Sequence, residues 1–301
     1  RLAPALMFGA DHPYGGPLTG SGTVDSITAL SRKDLTTFQA KWLRPDNLRI
    51  HVVGDTTLDA LLPQLEDAFG DWRAPRRVAK GEKNVAEVAL PEEPQVILVD
   101  RPGSPQTYIL AGQVAPPMGS ADELDIDAMN QVLAGNFVSR LNLNLREEKG
   151  WSYGVRSQLV DARGQRPLII RAPVQTDRTI DSITEMQREL DLLLGEAPPT
   201  EDEIRRVKLD AVRSLPGSFE TSRAVLGSML DSARFNRPWN YPETLADRYA
   251  DMTAADAASA AKRVLAPERL VWVIVGDAEK IESGVRALEL GDVEVRALSE
   301  L

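Results

Sequence analysis

The 301-residue chain has no cysteine and only two histidines. The first absence removes disulfides and thiolate metal sites. The second leaves little from which to build a zinc hydrolase, which needs a pair of histidines and a carboxylate, or a comparable set, at workable spacing. His12 and His51 stand far apart, and no His-Glu-x-x-His motif or its inverse occurs. No third histidine can serve a nucleophilic serine, and no G-x-S-x-G elbow is present. Basic charge is also short. There are 35 Lys and Arg against 45 Asp and Glu, a net charge of -10 and a pI near 4.9. That balance argues against a nucleic-acid partner and against an anionic membrane surface. The small basic cluster RFNRPW reads as solvated surface. No apolar run approaches the roughly 18 residues that a bilayer span requires. The glycine-rich GADHPYGGPLTGSG lacks both the lysine of a phosphate loop and a preceding strand. Freedom from cysteine suits the cytoplasm or the periplasm of a bacterium, and the periplasm is the preferred expectation.

What is there suffices for one large or two moderate cores, since 43% of residues are apolar. An internal repeat organises it. LSRKDLTTFQAKWLRPDNLRIHVVGD at 30–55 aligns without a gap to MTAADAASAAKRVLAPERLVWVIVGD at 252–277, at a constant offset of 222 residues. Ser31 and Thr253 are equivalent helix N-caps, each with an Asp three positions on, an acidic relative of the capping box. Pro45 and Pro267 end the helix, because proline disfavours helical geometry in the residue before it. A short apolar strand follows in each copy, then Gly-Asp and another helix. His51 falls inside the first of these strands.

Room for a full domain precedes the second copy, and almost none precedes the first. The opening RLAPALMFGADHPYGGPLTG reads neither as a signal peptide nor as a first structural element. Residues 1–72 are therefore expected to be the closing part of an upstream repeat unit, with the chain a piece of something longer. The charged stretch 73–94, with three prolines, reads as an extended linker. Residues 95–301 read as a complete unit. QVILVD and QTYILAGQVA look like paired strands joined by RPGSP, and WSYGVRSQLV and RPLIIRAPVQ like a hairpin turned by DARGQ. Between these hairpins lie helical stripes, Ala128 to Leu133 and Phe137 to Leu145. Ile180 to Leu193 forms the next helix, and Thr200 with Glu203 caps another. The order predicts an α+β fold, with helices packed on a largely antiparallel sheet.

One junction carries candidate chemistry. In LREEKGWSYGV, Arg146 sits in the last turn of a helix that ends at Lys149 and Gly150, where a cation also favours the dipole. Tyr153 falls just inside the strand expected to start at Trp151. A guanidinium and a phenol are both hydrogen-bond donors that need no metal, and together they could hold a peptide carbonyl or a developing oxyanion. On spacing alone, the same residues also describe an ordinary helix C-terminus followed by a core tyrosine.

SRLNLNLREEKGWSYGVRS resembles the stretch of the pitrilysin-type peptidases (insulinase and mitochondrial-processing-peptidase-like zinc enzymes) that carries their Arg–Tyr pair. DHPYGGPLTGS and LRPDNLRIHVVGD resemble the closing portion of a unit of the same family, so nearly the whole chain is covered. The resemblance implies tandem α+β units forming two halves of a clamshell around an extended or unfolded polypeptide substrate. It implies zinc held by His-x-x-Glu-His and a distal Glu in one half, and the Arg–Tyr pair, here Arg146 and Tyr153, in the other. This sequence has no counterpart of the zinc motif. It is thus expected to be the substrate-clamping half, to bind no cofactor itself, to hydrolyse nothing alone, and to rely on a zinc-bearing half in the same longer chain or in a separate subunit. A second expectation is a non-catalytic scaffold or assembly module, as some family members inside respiratory complexes are.

Overall fold

The computed structural model describes residues 2–300. Two compact units are present, one comprising Arg1–Leu18, Ala86–Ser214 and Glu243–Leu301, the other Thr19–Val85 and Leu215–Pro242. These groupings follow spatial packing and cut across the sequence positions 72 and 94, which concern duplication.

The first unit is built on six strands: β1 (Gln95–Asp100), β2 (Gln106–Ala115), β3 (Arg156–Leu159), β4 (Arg166–Gln175), β5 (Val271–Gly276) and β6 (Val293–Ala297). Their order across the sheet is β3-β4-β2-β5-β1-β6. The β3–β4, β4–β2 and β2–β5 pairs are antiparallel, and β5–β1 and β1–β6 are parallel. The architecture is the expected α+β one, and β3–β4 is the expected hairpin, except that β3 begins at Arg156 rather than at Trp151, so Tyr153 lies in a bend after the isolated Ser152–Val174 bridge and is not a strand residue.

The pairing of QVILVD with QTYILAGQVA is corrected, because β5 lies between them. It pairs with β1 from Gln95↔Val271 and with β2 from Tyr108↔Val275. RPGSP is therefore a connection that steps over a strand. Its Arg101 N–H reaches the Gly276 carbonyl at 2.7 Å and so continues the β1–β5 ladder. A turn-rich pentapeptide specifies a reversal, but not whether a third strand fills the space it encloses. Gly276 shows how closely these elements approach, since a Cβ there would stand 2.7 Å from Thr107 Oγ1.

Both faces of the sheet are covered, which is why β1 and β5 read as continuous apolar runs rather than alternating ones. Val96, Leu98, Trp272 and Ile274 face the larger core, closed by helices Glu123–Asn130, Thr179–Leu194, Glu201–Ser214 and Ala254–Val264. Ile97, Val99, Val271 and Val273 face a smaller core with Ala3, Met7 and Phe8. Those last three belong to helix Leu2–Phe8. The N-terminal stretch is thus a structural element after all, because its apolar positions recur at helical spacing over a sheet face.

In the second unit, helix Arg32–Trp42 carries the predicted cap. The Asp34 N–H donates to Ser31 Oγ, and the Ser31 N–H to the Asp34 carboxylate. The equivalent Thr253 and Asp256 cap helix Ala254–Val264 in the same way. Pro45–Asn47 and Pro267–Arg269 are both 3-10 turns. The copies part company at the strand. Val271–Gly276 is β5, whereas 48–54 forms no strand. His51 is therefore not a strand residue; its ring lies 5.8 Å from that of Trp239. A strand requires a hydrogen-bonding neighbour, and none of the amides of 49–53 has a partner among the described residues.

Candidate functional site

The stretch after Asn136 winds as a helix Arg140–Asn142 that widens into a π turn, Leu143–Glu148. Leu141 and Leu145 are fully buried and anchor one face. The turn ends on Gly150, whose φ of +65° is left-handed and suits a residue without a side chain. The Gly150 N–H bonds to the Arg146 carbonyl at 3.2 Å, and the Trp151 N–H to the Leu145 carbonyl at 2.9 Å. These bonds satisfy carbonyls that a helix end would otherwise leave open, and they fix the turn that carries the chain on toward β3. Ser152 then bridges to β4, its hydroxyl donating to the Pro173 carbonyl at 2.6 Å. A Cβ at position 150 would meet nothing within 4 Å, so the cost of Gly150→Ala is that of the backbone alone. It should destabilise by about 1–2 kcal/mol, read as a lower urea midpoint with an unchanged denaturant slope.

Arg146 and Tyr153 emerge on either side of this turn. The Arg146 guanidinium lies 4.4 Å from the centre of the Phe137 ring and 3.2 Å from the Glu147 carboxylate. Tyr153 is 87% exposed, so the core-tyrosine alternative does not hold. Its phenol has no partner among the described residues, and it does not bond to Arg146. Phe137 and Val138 are also exposed. The site thus presents a phenol, a guanidinium and an apolar surface on a framework fixed by its backbone.

Asn142 braces that framework, and its role was not legible in the sequence. It is buried, its amide donating to the Phe137 carbonyl at 2.7 Å and its oxygen accepting from the Val155 N–H at 2.9 Å. One side chain therefore joins the segment bearing Phe137 to the one bearing Tyr153. The preceding Arg140 forms a two-pronged pair with Glu203, both contacts at 2.7 Å. The only sequence signal was the alternation LNLNL, in which polar residues interrupt a buried face.

Asn144 ties the same turn to helix Thr179–Leu194. Its amide donates to Glu185 at 2.7 Å and to Glu189 at 2.8 Å, and both carboxylates also meet Arg188. Burial pushes the Glu185 carboxyl up. Hydrogen bonds from Arg188 and Asn144, with the charges of Arg188 and Lys149, outweigh it and hold the group below the ordinary glutamate range. A carboxyl depressed in the folded state stabilises that state above its unfolded pKa, and the contribution disappears as pH falls through the folded value. Glu185→Gln should accordingly flatten the loss of stability on acidification below about pH 4.5, the ordinary glutamate value. Urea midpoints measured across that range would show it.

The histidines do not fit a zinc ion. His12 stacks on Phe8, accepts the Tyr14 N–H at Nδ1 and reaches the Ala86 carbonyl from Nε2, so both ring nitrogens are engaged. Among the described residues, no group of three or more His, Asp or Glu stands together to hold a metal. Purified chain should carry no stoichiometric zinc by elemental analysis after dialysis; one retained zinc per chain would contradict this donor set.

Fold and site together define a class: an α+β domain of helices on a mostly antiparallel sheet, with no metal-binding cluster among the described residues. The chain belongs to the family described as the Peptidase M16 inactive domain, which matches residues 29–209. It is similar to an uncharacterised zinc protease of Mycobacterium tuberculosis, with 28% identity over 159 residues, 52% of this chain and 34% of that protein. Another, from Streptomyces coelicolor, is 27% identical over 272 residues, 86% of this chain and 56% of that protein. The crystal structure of a peptidase M16 inactive domain from Pseudomonas fluorescens superposes with a TM-score of 0.80 at 21% identity, covering 91% of this chain and 64% of that one. The chain spans about a third of the length of the mycobacterial relatives it matches.

Proposed function

We propose that this chain is the substrate-holding, non-zinc half of a two-part zinc endopeptidase. The observation that carries the reading is Tyr153, a large aromatic residue left in water in the bend between the Ser152 bridge and the start of β3, across one turn from Arg146. An exposed phenol contributes nothing to a core, yet Ser152, Asn142 and Gly150 all act to hold its backbone in place. Two donors presented from a helix end and from the bend before β3 suit an acceptor that every peptide offers, the main-chain carbonyl. The substrate class is accordingly an extended or unfolded polypeptide, with Phe137 and Val138 supplying apolar contact beside the donors. Zinc, supplied by another half in the same polypeptide or in a partner subunit, would provide the hydrolytic chemistry. This chain's residues bind and orient.

The scaffold reading needs neither donor. The experiment that separates the two is peptide cleavage by the assembled enzyme carrying Tyr153→Phe or Arg146→Ala. Wild-type rates in both variants would leave the scaffold reading standing and remove the clamp.

A further inference from the structure

The chain has a net charge of -10, and most cations around the candidate site are paired. Arg140 meets Glu203, Arg146 meets Glu147, Lys149 meets Glu185 and Arg178 meets Asp181, all within 3.5 Å. Two arginines differ. Arg156 opens β3, and Arg171 stands directly opposite it on β4. Arg156 is exposed and Arg171 half-buried. Neither has a carboxylate partner among the described residues, and the Arg171 guanidinium reaches only the Gln158 side-chain oxygen, at 3.2 Å.

Residues directly opposite on antiparallel strands project from the same face, with Cβ atoms about 4.5–5.5 Å apart, and like charges placed so destabilise the sheet. The register identifies the face. Arg171 also pairs with Leu110 of β2, and Leu110 with Val273 of β5. Val273 lies in the smaller core and Leu110 packs against it. Both guanidiniums therefore project from that face, at the β3 edge of the sheet. Guanidinium forks take carboxylate or phosphate, and a polypeptide supplies the first. Arg156 follows Tyr153 by three residues, so their α-carbons are at most about 11 Å apart. An extended peptide rises about 3.3 Å per residue and crosses that distance in about three residues.

We infer that Arg156 and Arg171 form a specificity position for an acidic side chain of the substrate. The inference rests on the peptide-binding reading and narrows it. The polypeptide carries an Asp or Glu within about three residues of the carbonyl that Tyr153 and Arg146 hold. Its carboxylate relieves the repulsion between two like charges that the fold leaves facing one another.

Paired peptides with Glu or Gln at each of about three positions on either side of the cleaved bond, given to the assembled peptidase, test it. At one position kcat/KM for the Glu peptide should exceed that for its Gln counterpart by about 10-fold, the scale of a hydrogen bond between charged groups. The ratio should shrink as salt is raised. Arg156→Gln combined with Arg171→Gln should bring it to within about twofold of one. Arg156→Glu combined with Arg171→Glu should make a Lys peptide better than the Gln peptide. The Tm of the 301-residue chain should not fall in Arg156→Gln, since that guanidinium has no partner to lose. Equal rates for Glu and Gln at every position would overturn the proposal, as would a Glu preference that survives the double Gln variant. A lower Tm for Arg156→Gln would overturn it too, by placing the partner within the chain. Tyr153→Phe separates this failure from that of the clamp, because it should slow both peptides by the same factor and keep their ratio. Tyr153→Phe at the wild-type rate, with a ratio set by the two arginines, would remove the clamp and support the acidic position. A slowed Tyr153→Phe with no Glu preference in the wild type would keep the clamp and overturn the acidic position.

Discussion

Tyr153→Phe is expected to lower turnover of an unstructured peptide by roughly 10²–10³-fold in the assembled peptidase, the effect of removing one preorganised donor worth about 2.7–4 kcal/mol in the transition state. The phenol is exposed and unpartnered, so its loss leaves no buried group unsatisfied. Thermal stability should stay within about 0.5 kcal/mol of wild type, as for a surface substitution. On the proposed function zinc content should not change, because zinc would be held by the other half. The loss should fall mainly in kcat if the phenol meets the carbonyl only as it becomes an oxyanion, and in KM if it binds the ground state equally. Arg146→Ala should lower turnover too, though it also strips the Phe137 ring of its cation. Unchanged cleavage in both variants would end the clamp assignment.

Asn142→Ala is expected to damage stability and activity together. It removes the acceptor of the Val155 N–H and the donor to the Phe137 carbonyl in a buried setting. A buried polar group left without a partner costs about 1–3 kcal/mol, so the pair should cost roughly 2–6 kcal/mol. Turnover should fall as well, because the segments carrying Phe137 and Tyr153 lose their common tie. A Tm unchanged by Asn142→Ala would show that the tie is not structural. A lowered Tm with full activity at low temperature would show that it does not position the site.

The contrast between Tyr153 and Asn142 indicates what a sequence of this kind discloses. The Arg146–Tyr153 pair was visible because a helix stop and a glycine lie between them in eleven consecutive residues, although the strand expected at Trp151 begins only at Arg156. Asn142 was not, because its partners depend on how two segments return to one another. The caps at Ser31 and Thr253 were legible since a capping box is closed within four residues. The strand VWVIVG was legible from composition, but its neighbours were not, since pairing is decided by edges that lie far apart in the chain. His51 failed for a related reason: its segment has strand composition, and strand structure needs a second segment beside it. Helix Leu2–Phe8 was missed because seven residues carry too short a period to stand out from a turn-rich neighbourhood.

The position of β5 between β1 and β2 has a consequence for synthesis. The two earlier strands leave the ribosome with a gap between them that only residues 271–276 can fill. Those residues emerge some 150 positions after β2 has been made. Until then both strands keep open edges and uncovered apolar faces, the condition in which nascent chains pair wrongly or require a chaperone. Closing the sheet is a contact of long sequence separation, so it is a slow step. A ribosome that stalled before Val271 would release a chain in which β3, β4 and β2 can pair while β1 has no partner, since β5 and β6 both follow.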